Sequence, residues 1–226
     1  MSDNARRTSA SSSSDLIGTL VADLAPVRPV RLARTIAVAM LLEIAVVSVV
    51  SRLLGVHMVG MERLADPAFA GLVLTLTGGA AASAAAMATL SIPGRTVGAG
   101  WRAFVLALPL VIAALVVSFS PWGGTWKGFL AVFTEGFGCT RDTLYVATPA
   151  WIAGLLYLRR LGPLDPVRVG LFSSFAALLS AALMVQMGCP NCDSWHMAIS
   201  HYVPILLAAW AGAMVSPVVL RGRWGG

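Results

Sequence analysis

The stretch Gly188–His201, GCPNCDSWHMAISH, sets Cys189, Cys192, Asp193, His196 and His201 between two long apolar runs. Thiolates and imidazoles suit a tetrahedral soft or borderline cation, and C-x-x-C is also a redox pair. The full spacing, C-x2-C-x3-H-x4-H, falls short of a zinc-finger signature. His196 and His201 are five residues apart and diverge on a regular helix. A single-turn distortion, or Pro204 loosening the turn before it, is needed to converge them. The third cysteine, Cys139, allows a redox pair with Cys189 or Cys192, and disulfides persist on the oxidising side of a bacterial membrane. The plainer alternative makes Cys139 a small buried hydrophobe and the histidines interfacial hydrogen-bonders. Candidate sensing residues, by redox chemistry or by metal binding, are therefore Cys139, Cys189, Cys192, His196 and His201. A heavy-metal or zinc-like cation acting as signal is the one cofactor in view.

Glu43 is the only formally charged residue deep in an apolar run. A carboxylate in lipid is costly and faces a partner or a cavity. It is either a proton or cation site, or a neutral acid hydrogen-bonded between helices; a lone carboxyl favours the second. Gln186 is suited to bridging helices. No nucleophile–base pair, phosphate loop or EF-hand is present, so no enzyme is expected.

The elements that must position these residues follow from composition. The chain has 226 residues, 58% hydrophobic and 12% charged, about half the charge of a soluble domain. Lipid offers no water to backbone groups, so only helices or closed barrels cross it. The apolar runs lack strict alternation, which selects helices. The expected fold is an all-α integral membrane protein with six transmembrane helices, near 32–54, 68–90, 101–119, 143–158, 169–187 and 197–220, preceded by a short cytoplasmic amphipathic helix. Pro109, Pro149 and Pro204 fall inside spans and are expected to kink them. Gly78, Ala82 and Ala86 make a small-residue stripe suited to close helix approach. Trp122, Trp126, Trp195 and Trp224 near span ends read as interface anchors.

Before the spans, residues 1–14 are Ser-rich and polar and expected to be disordered. Residues 15–31 form a separate segment, and 32–226 the transmembrane domain. Asp15 can cap a helix in which Leu16, Ile17, Leu20, Val21 and Leu24 share one face; Pro26 and Pro29 end it. A helix this short is marginal alone, so it needs a headgroup layer or a protein groove to bury its leucines. Charge sets the orientation. The net charge is +6. Twelve arginines (Arg6, Arg7, Arg28, Arg31, Arg34, Arg95, Arg102, Arg159, Arg160, Arg168, Arg221 and Arg223) fall on one side. Arg52, Arg63, Lys127 and Arg141 fall on the other. By the positive-inside rule both termini are cytoplasmic and all three cysteines face outward. The excess charge orients helices and gives no reason to expect direct nucleic-acid binding.

The chain resembles the NrsF-type membrane anti-sigma factors, from about Asp15 to Trp224. Three features carry the resemblance: Asp15–Pro29, DLIGTLVADLAPVRP, leading into the first span; a lone outer cysteine, Cys139, before the fourth; and the run from Cys189 through Asp193, Ser194, Trp195, His196 and His201 to Pro204. The resemblance implies a six-helix protein of the bacterial inner membrane. Its N-terminal segment would hold an extracytoplasmic-function sigma factor away from RNA polymerase. Leu16, Ile17, Leu20, Val21 and Leu24 would form the contact face, with Pro26, Val27 and Arg28 at the exit to the membrane. Cys139 and Cys189 match the family's pair of outer cysteines. Cys192 departs from the pattern, so the partner of Cys139 is either Cys189 or Cys192. Two other classes compete: a membrane thiol–disulfide oxidoreductase using Cys189 and Cys192, and a metal or small-solute transporter using Glu43. Three cysteines cannot make the two intramolecular pairs of the first, and the second wants polar residues near mid-membrane on several spans.

Overall fold

A computed structural model describes residues 15, 17–19, 21–22, 30–56, 59–103, 107, 110–111, 130, 137–190 and 194–221. The chain divides into two units between Val30 and Arg31. In the first, the described residues between Asp15 and Ala22 are helical, and the Thr19 hydroxyl donates to the Asp15 carbonyl at 2.8 Å. Ile17 and Val21, one helical turn apart, are both exposed.

The second unit is built from helices, with no strand among its described residues. These are α1 (Leu32–Leu53), α2 (Pro67–Leu90), α3 (Phe137–Leu158), α4 (Pro166–Gly188), the one-turn α5 (Ser194–Met197) and α6 (Val203–Arg221). A 3-10 turn, Val59–Ala65, lies between α1 and α2, and a π-helical turn, Ala198–Tyr202, joins α5 to α6. Among the described residues, four stretches are long and apolar enough to cross a membrane: Leu32–Leu53, Phe69–Leu90, Pro166–Gly188 and Trp195–Leu220. They match the expected first, second, fifth and sixth spans. The helix expected at 143–158 begins earlier, at Phe137, and takes in Arg141 and Asp142. It has the length of a span but not the apolarity. The span expected at 101–119 lies largely outside the described residues, as do Pro109, Trp122, Trp126 and Trp224.

Central to the unit is α4, which packs against α1, α2, α3 and α6. A helix surrounded on all sides needs small residues where neighbours approach, and α4 has Gly170, Ser173, Ser174, Ala177 and Ala181, all buried. Its start is fixed locally. Asp165 caps it by accepting from the Arg168 N–H at 3.0 Å, and Pro166 occupies the first turn, where no N–H is missed. Gly162, at φ +67°, turns the chain out of α3 to reach that cap.

Helices α4 and α6 approach each other closely. A Cβ placed on Gly170 would collide with the Ser216 side chain, and one on Gly212 with that of Ser174. Each helix thus offers a glycine and, four residues on, a serine that fills the other's glycine notch. Both serines donate back to their own helix, Ser174 to the Gly170 carbonyl and Ser216 to that of Gly212, which leaves no hydroxyl unsatisfied in the contact. The small-residue stripe expected on α2 is only partly used. Ala82 and Ala86 are buried, but Gly78 is exposed with open space beside it, because the packed face of α2 runs through Gly79 and Ser83 instead. Outward faces are apolar. On α6, Leu207, Trp210, Met214 and Val218 form one stripe, each at least 60% exposed. Such a stripe suits hydrocarbon rather than water as its solvent.

Candidate functional site

One end of the bundle collects four chemically active side chains. Cys139 stands on the first turn of α3 and is half-buried. Cys189 is the residue on which α4 ends, in extended conformation and buried. His196 is on α5, and His201 lies in the π turn; both are buried. The two sulfurs are 3.6 Å apart, and Cys189 Sγ is 3.4 Å from His196 Nε2. The imidazole rings meet edge to face, with centroids 5.3 Å apart. One ligand atom from each of the four residues lies within 4.8 Å of all the others.

The two histidines converge because the helix carrying them is not regular. In the π turn Val203 N–H reaches back five residues to the Ala198 carbonyl. That pattern brings residues five apart onto one face, which is the spacing of His196 and His201. Pro204 contributes from the other side: it has no N–H to return to the Ser200 carbonyl four residues earlier. That carbonyl accepts instead from the Thr140 hydroxyl at 2.8 Å. One hydrogen bond therefore ties the turn carrying Cys139 to the turn carrying His201.

The backbone after α4 is held from a third direction. Arg63, in the 3-10 turn before α2, donates through Nη1 to the Cys189 carbonyl at 2.8 Å and through Nη2 to that of Pro190 at 3.4 Å. In the sequence Arg63 counted only toward the charge bias. Its pairing spans 126 residues, so no local pattern could reveal it. Thr140 was equally silent. Pro204 was the one legible signal for the turn.

The electrostatics of the two sulfurs differ. Cys189 is pulled well below the usual thiol range, first by the hydrogen bond from Cys139 and further by His196 and His201, against the opposing effect of burial. Cys139 is pushed up, first by that same bond, then by burial and by the negative charges of Cys189 and Asp142. The pair thus favours a Cys189 thiolate accepting a proton-sharing contact from the Cys139 thiol. A thiolate is the form that attacks oxidants and binds metals. His201 has no exposed surface, and neither ring nitrogen makes a hydrogen bond of standard geometry among the described residues.

Other candidates lie apart from this cluster. Glu43, on α1, accepts from the Ser180 hydroxyl of α4 at 3.0 Å, the arrangement of an interhelical hydrogen bond. Gln186 Nε2 donates to Met197 Sδ at 3.0 Å and so bridges α4 to α5. Cys192 and Asp193 lie outside the described residues. So do Leu16, Leu20, Leu24, Pro26, Val27 and Arg28 of the N-terminal face, which leaves Ile17 and Val21 to represent it.

The model of one protein family, described as negative regulator of sigma F, matches residues 20–224. The chain belongs to the NrsF family. No curated protein and no solved structure matches it. Membership makes this NrsF protein a negative regulator of a sigma factor, with a sigma factor as its partner. The family is one of regulators rather than enzymes. The match begins at residue 20 and takes in Cys139, Cys189, His196 and His201.

Proposed function

We propose that this protein is a transmembrane anti-sigma factor of the bacterial inner membrane. It sequesters an extracytoplasmic-function sigma factor through its N-terminal segment and releases it when outward-facing cysteines meet an oxidant or a thiophilic metal. The observation that carries the reading is the 3.6 Å approach of Cys139 to Cys189, two thiols from elements 50 residues apart in sequence. The chain enters the bundle at Arg31, and α1 then runs for 22 residues, about 33 Å at the helical rise. That is the depth of a membrane's hydrocarbon core. A change at the thiol end therefore has a rigid element through which to act.

In the resting state the face formed by Leu16, Ile17, Leu20, Val21 and Leu24 lies in a groove of the sigma factor. The exposure of Ile17 and Val21 supports this, since an apolar pair one turn apart needs a cover. On the redox route, the Cys189 thiolate and the Cys139 thiol lose two electrons to a two-electron oxidant and one proton to solvent, forming one disulfide. The bond locks the start of α3 to the end of α4, which are only in contact in the reduced state. The signal shifts the equilibrium by its differential affinity for the two packings. A full switch takes roughly 5.5 kcal/mol, and disulfides contribute about 2–4 kcal/mol, so one bond moves the population a large part of the way.

The test joins both ends. The sigma factor should co-purify with the full-length protein and be lost from the Leu20→Asp, Leu24→Asp double variant. A sigma-dependent reporter should respond to diamide in the wild type and stay silent in Cys139→Ser. Retention by the double variant would remove the output half, and an undiminished response in Cys139→Ser the input half.

A further inference from the structure

We infer that Cys139, Cys189, His196 and His201 together form a closed tetrahedral centre for one divalent d10 cation of the zinc type, binding α3, α4 and the α5–α6 stretch to one another. This deepens the proposed function by naming the ligand set and the class of cation, and it rests on that reading only for its consequence in signalling. The site itself stands on geometry.

Distances come first. With metal–sulfur bonds of about 2.3 Å and metal–nitrogen bonds of about 2.0–2.1 Å, neighbouring ligand atoms in a tetrahedron lie roughly 3.3–3.8 Å apart. The sulfur pair at 3.6 Å and the Cys189–His196 pair at 3.4 Å already meet that requirement. The widest separation among the four, at most 4.8 Å, closes with a small side-chain rotation.

Donor chemistry narrows the cation. Two sulfurs and two nitrogens in tetrahedral array select zinc over the hard cations, which demand oxygen. Asp142, three residues beyond Cys139 on α3, is engaged by Arg141 at 3.0 Å and is not among the four. Two thiolates also neutralise a divalent charge, as a site at the mouth of a lipid-embedded bundle requires. Burial points the same way. His201 is wholly enclosed, and its two ring nitrogens lack a standard hydrogen bond among the described residues. Burying such groups without a well-formed hydrogen bond is costly; a cation would supply a stronger partner than the loose contact with Cys189. Finally, the π turn that aligns the histidines is the kind of irregularity found frequently at functional sites.

Occupancy and disulfide formation exclude each other, because both use the same two sulfurs. The cation thus holds three elements in one packing, and oxidation joins only two of them.

The test uses the full-length protein in nanodiscs, reduced, stripped of metal, and titrated with cobalt(II). One equivalent should produce the intense visible bands of tetrahedral cobalt with a thiolate charge-transfer band, both displaced by zinc and both absent after diamide treatment. X-ray absorption on the zinc-loaded wild type should give two sulfur and two nitrogen neighbours. His201→Gln should weaken cobalt binding by at least about tenfold, the lower end of the loss even for contacts that merely support a metal ligand, while an unchanged Tm in detergent shows that the variant is folded. Wild type that retains sigma factor yet gives no tetrahedral cobalt spectrum overturns the centre alone. A zinc shell with more than two sulfurs or any oxygen overturns the ligand set. Cobalt binding by a protein that holds no sigma factor even when reduced and stripped of metal would leave the centre standing and remove the function proposed above.

Discussion

Replacing Arg63 with methionine should slow disulfide formation between Cys139 and Cys189 without touching either sulfur. Arg63 holds the Cys189 carbonyl by a 2.8 Å charge-assisted bond and the Pro190 carbonyl by a longer one at 3.4 Å. A hydrogen bond to a charged group contributes about 1.5–3 kcal/mol. Arg63 is half-buried and its second bond is solvent-exposed, so solvent screening lowers the figure to about 1–2 kcal/mol. If that energy keeps the residue after α4 in its site-forming position, losing it cuts the aligned population about 5- to 30-fold. The assay is the rate of diamide-driven oxidation in nanodiscs, followed by the gel shift of residual thiols with a large maleimide. Arg63→Lys should fall between wild type and Arg63→Met, since lysine keeps the charge but cannot reach both carbonyls as a fork. Arg52→Met, at an exposed position on α1, serves as the control. An Arg63→Met rate within twofold of wild type would refute the clamp.

Three further outcomes follow from the geometry. Gly170→Ser should destabilise the protein by about 1–3 kcal/mol through overpacking against Ser216, seen as a lower Tm in detergent, and Ser216→Gly in the same chain should restore most of the loss. Pro204→Ala returns an N–H to the turn; relaxation of the π turn to α-helix would swing His201 by about 100° and lower cobalt affinity by at least about tenfold, with sigma retention unchanged. Glu43→Gln keeps a partner for Ser180, so membrane levels and reporter response should match wild type; a lost response would mark Glu43 as a proton or cation site.

Much of this was readable from residue order. The apolar runs that became α1, α2, α4 and α6 were legible because lipid imposes length and composition on anything that crosses it. The start of α3 is hidden in the sequence because Arg141 and Asp142 look like a loop, yet helix runs through them and they pair with each other. The active cluster was half legible. Cys189, His196 and His201 lie in one short run, but their convergence depends on a π turn at which only Pro204 hinted. The choice of Cys189 as neighbour to Cys139, the Thr140 tie and the Arg63 clamp are tertiary facts, joining elements at least 50 residues apart. The glycine–serine interlock of α4 and α6 was hidden for another reason. Gly170, Ser174, Gly212 and Ser216 are unremarkable singly and gain meaning only when two helices face each other.

The central claim is that the state of the Cys139–Cys189 pair governs the hold on the sigma factor. Its most direct measurement is the amount of sigma factor bound to the full-length protein in nanodiscs before and after complete oxidation of that pair. The account predicts that sigma factor leaves the wild type as the disulfide forms, stays on Cys139→Ser under the same oxidant, and returns to the wild type on reduction. Full oxidation of the wild type with its bound sigma factor undiminished would contradict it.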